Sequence, residues 1–154
     1  MKSVSKLKKF KEWKEKWEKP DEMDWLSYLS FNCHPEDVLI VGKLFFPEFI
    51  ERDGLIFLEI KFDEGIYSEW VARLGNDFIS IQNVINHVHI YDLFAHCEDD
   101  VEDDVFIDIC EMLKSTWEIR LKKLYPSISV CVESSFSDQD YGPTLKVYQR
   151  KRIE

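Results

Sequence analysis

The sequence predicts an α+β fold: an antiparallel sheet of about four strands, made of two hairpins, covered on one face by about five or six helices. Three observations predict it. Apolar residues recur every three or four positions in several segments between Val4 and Leu124. An Asp53-Gly54 pair separates two apolar runs at the spacing of a tight hairpin. Near the C-terminus the pattern switches to alternation, over residues 127–133 and 144–149.

The elements follow in order. Val4, Leu7, Phe10, Trp13 and Trp17 trace one apolar stripe, and Lys2, Lys8, Lys9, Lys11 and Lys16 largely fill the other side. Pro20 ends this basic amphipathic helix. Asp21 and Asp24 open a short second one, with Trp25, Leu26, Tyr28 and Leu29 facing inward. Residues 32–37 are a strong helix start, because Pro35 suits the first helical position and Glu36 and Asp37 complement the dipole. The run over 38–46 also suits a strand, since it is rich in β-branched residues; a helix up to Pro47 is favoured.

Residues 49–52 and 55–61 then pair around Asp53-Gly54. Asp63 caps a helix over 64–74 that buries Ile66, Trp70, Val71 and Leu74, and Gly75-Asn76 stops it. A helix over about 77–87 buries Phe78, Ile81, Val84 and Ile85. The longest helix spans about 101–124, with Val101, Val105, Ile109, Met112, Leu113, Trp117, Leu121 and Leu124 inward. Acids at its start and Arg120, Lys122 and Lys123 at its end match the dipole. The second hairpin joins residues 127–133 to 144–149 across a polar loop.

Length and composition bound the function. With 154 residues, 45% of them apolar, the chain suits one packed domain. Its charges are segregated. Residues 1–19 hold eight Lys and three Glu, net +5; residues 20–154 hold twelve basic and twenty-seven acidic residues, net −15. The organisation expected is a basic amphipathic helix, 1–19, packed on a single acidic domain, 20–154. Such a body repels nucleic-acid phosphates and anionic membranes and attracts basic proteins. Membrane contact is open only to residues 1–19. No apolar stretch approaches the ~20 residues of a membrane-spanning helix, and no secretory signal is evident. Cys33, Cys97, Cys110 and Cys131 lack paired spacing and read as reduced thiols of a cytoplasmic protein, Cys110 and Cys131 as small buried hydrophobes.

Two segments carry candidate chemistry. His87, His89, Asp92 and His96 fall within ten residues and offer imidazoles and a carboxylate for a metal or for acid–base work. His87 and His89 share a face only if the chain is extended there, whereas Asp92 and His96 do so only on a helix. The plainer alternative ends a helix at Asn86-His87 and lets Asp92 cap the next turn. The Cys33-His34 and His96-Cys97 neighbours are poor zinc ligands, because adjacent residues rarely reach one ion.

The second segment is Glu98, Asp99, Asp100, Glu102, Asp103 and Asp104, six acids in seven residues. Asp100, Glu102, Asp104, Asp108 and Glu111 have calcium-loop spacing, but Val105 stands where such a loop needs glycine. The segment reads as the solvated start of a helix and as a docking surface for a basic protein. The loop residues Ser134, Ser135, Ser137, Asp138 and Asp140 form no phosphate cradle, and no P-loop, dinucleotide fingerprint or nucleophile elbow is present.

The function expected is therefore a small non-enzymatic binding protein that meets a basic protein partner through its acidic surface, as an immunity protein, antitoxin or regulator would. No cofactor is implied. The alternatives are a metal-binding protein or enzyme using His87, His89, Asp92 and His96, and membrane-surface attachment through the N-terminal helix.

Overall fold

A computed structural model describes residues 2–97, 99–136 and 141–152. The chain forms two compact units, 1–43 and 44–154. It is mixed helix and sheet: among the described residues there are seven α-helices, a two-stranded sheet and a three-stranded sheet, both antiparallel.

In the first unit the basic helix is shorter than its stripe. α1 is Lys8–Lys14. It is preceded by a 3₁₀ turn at Val4–Lys6 and an extended Leu7, and followed by i→i+3 bonds from Lys16 to Trp13 and from Trp17 to Lys14. α2 (Trp25–Asn32) starts at Asp24, whose carboxylate accepts from the Ser27 amide at 2.8 Å. The two helices meet through aromatic rings. Phe10, only 7% exposed, stacks on Trp13 and meets Tyr28 edge-on, and Trp17 tilts against Phe31 with centroids 4.7 Å apart.

The inward face expected for α2 is corrected by this packing. Tyr28 and Phe31 receive the α1 stripe, and Trp25, Leu26 and Leu29 are left exposed. α3 (Pro35–Phe45) is a helix, as favoured. Its start is held reciprocally: the His34 amide donates to Asp37 Oδ2 at 3.2 Å, and the Glu36 amide donates to His34 Nδ1 at 3.3 Å.

In the second unit β1 (Phe49–Arg52) and β2 (Leu55–Leu58) pair in register, with Phe49 opposite Leu58. Asp53 (φ 52°) and Gly54 (φ 73°) both take the left-handed conformation that a type I′ turn requires. The second strand stops at Leu58 and not at Lys61. Glu59–Lys61 is a 3₁₀ turn, and the Glu59 amide closes the ladder on the Glu48 carbonyl at 3.0 Å.

α4 (Glu64–Leu74) and α5 (Phe78–Ile85) are capped by Asp63 and Asp77. Their inward faces differ from the expected ones by single residues. Tyr67 is buried and Ile66 exposed on α4; Gln82 is buried and Val84 exposed on α5. Then follow β3 (Val88–His89), α6 (Ile90–Leu93), α7 (Asp103–Leu124), β4 (Val130–Ser135) and β5 (Thr144–Gln149). α7 buries Cys110, Leu113, Trp117 and Leu121, while Met112 and Leu124 are exposed.

Two corrections to the sheet matter for the site. There are five strands among the described residues, because β3 adds itself to β5 in the order β3-β5-β4. The hairpin and this second sheet are also separate, and β2 is covered on both faces. Leu55 and Phe57 pack with Tyr67, Ile81 and Ile85; Ile56 and Leu58 pack with Leu113, Trp117, Val132, Leu145 and Val147.

Side-chain amides span the gap between the sheets. Asn86 accepts from the Leu58 amide at 2.9 Å and donates to the carbonyls of Ile56 at 3.0 Å and Val147 at 2.8 Å. Gln149 accepts from the Ile56 amide at 3.1 Å and donates to the Gly54 carbonyl at 2.7 Å. Buried strand edges must find partners somewhere, and here amides stand in for a neighbouring strand.

Candidate functional site

The chain between Asn86 and Asp104 carries both candidate segments. α5 ends at Ile85, and buried Asn86 is pinned by its three backbone partners, so the chain leaves the helix extended into β3. Val88 points into the core, and His87 and His89 are left on the opposite side, their ring centroids 4.4 Å apart and tilted 40°. His89 Nδ1 lies 3.3 Å from the Tyr141 carbonyl. The extended geometry that a shared site for these two rings requires is therefore present.

Asp92 and His96 do not complete it. α6 is four residues long and ends at Leu93; Phe94 to His96 form a turn, so the helical spacing that would align Asp92 with His96 is lost. Both side chains are exposed. Among the described residues no group of three or more His, Cys, Asp or Glu is placed to hold a metal ion. Cys110 is also unsuited to nucleophilic work, because burial pushes its thiol up to about 12. None of the four cysteines is in a disulfide.

Two tyrosines organise the neighbourhood, and pattern reading had no signal for them. Tyr91 donates its hydroxyl to Asp103 Oδ1 at 2.7 Å and meets Phe106 and Tyr141 edge-on, with centroids 4.8 and 5.4 Å away. The hydrogen bond to Asp103 raises the Tyr91 phenol above its usual range. Gly142, at φ 74°, lets the chain pass close over this ring; a Cβ there would lie 2.6 Å from it. The contact ties the segment before β5 to the start of α7.

Asp99, Asp100, Glu102, Asp103 and Asp104 stand exposed on the approach to α7; Glu98 lies outside the described residues, as do Ser137, Asp138 and Asp140. α7 begins at Asp103, with Asp103 and Asp104 in its first turn, where the positive end of the dipole favours them. From Asp103 onward the backbone is regular helix, so Asp104, Asp108 and Glu111 cannot curl around a cation as a calcium loop does. What the arrangement offers is a cluster of carboxylates at the start of a helix of 22 residues, itself anchored by buried Leu113, Trp117 and Leu121.

The N-terminal stripe is engaged within its own unit, with Phe10, Trp13 and Trp17 against Tyr28 and Phe31. Among the described residues no helix is long and apolar enough to cross a membrane. No family model matches the chain, and comparison with curated proteins and with solved structures likewise yields no match.

Proposed function

We propose that this is a binding protein without catalytic function that recognises a basic protein through the acidic approach to α7. One observation carries the reading: five exposed carboxylates within residues 99–104 are presented at the start of a long, core-anchored helix. Residues 44–154 as a whole hold eleven basic and twenty-two acidic residues, net −11, so the long-range field reinforces the local cluster. Carboxylates arranged in this way raise the encounter rate with a cationic partner and disfavour anionic ones.

The test uses the full chain as bait in the native host, beside a variant with Asp99, Asp100, Asp103 and Asp104 changed to Asn and Glu102 to Gln. A basic protein retained by the first and lost by the second supports the reading. Its association rate with the wild type should fall steeply with added salt, and neutralisation should slow it about tenfold or more. An unchanged rate and salt slope would remove the assignment. Stoichiometric zinc or another transition metal in the purified protein would favour the His87 and His89 alternative instead.

A further inference from the structure

α3 holds two of the most exposed large apolar side chains in the chain, Leu39 at 74% and Ile40 at 70% exposure; Val38 and Val41 are also more than half exposed. A helix apolar on nearly every side normally lies covered, and an uncovered apolar surface of this kind marks an interaction site.

The charges that frame it point to the occupant. Glu36 and Lys43 are seven residues apart, so on an α-helix they lie within ~20° of one line. That line runs midway between Leu39 and Ile40. The stripe therefore reads acid, two large aliphatics, base. Run backwards, it is its own complement. A two-fold axis between Leu39 and Ile40 sets Glu36 opposite the second copy's Lys43 and Leu39 opposite the second copy's Ile40, twice over. A parallel arrangement would place like charges side by side.

We propose that α3 is a homodimerisation surface, pairing antiparallel with α3 of a second copy of this chain through Leu39 and Ile40 and two reciprocal Glu36–Lys43 ion pairs. The helix has eleven residues and is about 16 Å long, which places the contact among small, reversible interfaces. The proposal stands independently of the α7 docking surface.

The experiment is analytical ultracentrifugation of the full chain over a concentration series from micromolar to millimolar. The wild type should show a reversible monomer–dimer equilibrium. Glu36→Lys or Lys43→Glu alone should weaken it about tenfold or more, because each sets like charges together. An equimolar mixture of the two variants should dimerise again, since one then carries two lysines and the other two glutamates. Helix content by circular dichroism checks that both variants fold. Ile40→Asp should abolish the dimer. A wild type that stays monomeric at every concentration would overturn the proposal, as would a mixture no more dimeric than its two components.

Discussion

Gln82 and Gln149 clasp each other in the protein interior. The Gln149 amide donates to Gln82 Oε1 at 3.3 Å, and Gln82 Nε2 donates to the Gln149 carbonyl at 3.4 Å, both residues being fully buried. This bond pair fastens α5 to β5, while the Gln149 side chain reaches on to β2. Gln82→Leu removes the partner of the Gln149 main-chain N–H and C=O, and a buried polar group left unpaired costs about 1–3 kcal/mol. Gln82→Leu should therefore lower stability in urea denaturation by about that amount or more. Gln149→Leu should do so by a separate route, since it leaves those main-chain groups in place and strands the Ile56 amide and the Gly54 carbonyl instead.

Asn86 should be the most sensitive polar position in the second unit. It serves two carbonyls and one amide, so Asn86→Ala orphans three backbone groups at once. A loss of about 3–5 kcal/mol is expected from equilibrium unfolding. Asn86→Asp should be no rescue, because the acid cannot donate to Ile56 and Val147.

Gly142→Ala should destabilise by about 2–3 kcal/mol, combining a left-handed backbone with a clash against the Tyr91 ring. In a Tyr91→Ala background the clash disappears and only the backbone strain persists. A smaller penalty there, read from the same unfolding curves, checks the contact.

Asp77 supplies a pH-dependent contribution. Its carboxylate accepts from the Ser80 hydroxyl at 2.7 Å and the Ser80 amide at 3.1 Å, which hold its pKa below the ordinary carboxylate value. A depressed folded pKa gives stability that is present above the unfolded value, near ~4, and lost as pH falls through the folded one. Asp77→Ala should lower the midpoint of thermal unfolding at pH 7. The gap to wild type should narrow steadily below about pH 4.

Thiol reactivity should sort the cysteines by environment. Cys97 is exposed and should react promptly with a disulfide reagent in the native state. Cys110, fully buried and with its thiol pushed up to about 12, should react only after denaturation. Mass spectrometry of the labelled protein distinguishes the two.

Much of the local structure was legible in the residues. Asp24 and Asp63 cap helices as their positions suggested, Asp53-Gly54 makes the turn, and the acidic start of α7 lies within two residues of its expected place. These signals act between groups three or four residues apart, so a sequence displays them directly. Periodicity was less reliable at the edges of each apolar face. Ile66 and Val84 had the right spacing, yet Tyr67 and Gln82 take the buried positions, because the neighbouring layer sets which residue is covered.

The candidate site divides in the same way. The acids at 99–104 could be read from the sequence alone, whereas the pairing of His87 with His89 depended on the chain being extended after Asn86. That Asp92 and His96 fall away from those rings depends on where α6 ends. The Tyr91–Asp103 bond and the passage of Gly142 over the ring join segments far apart in the chain.

Elements, caps and charge distribution were thus set by neighbours along the chain. The division into two sheets was settled in three dimensions, by amides reaching groups up to 95 positions away. Asn and Gln have no periodic signature, and their value emerges only once a buried strand edge lies within hydrogen-bonding reach and water is gone.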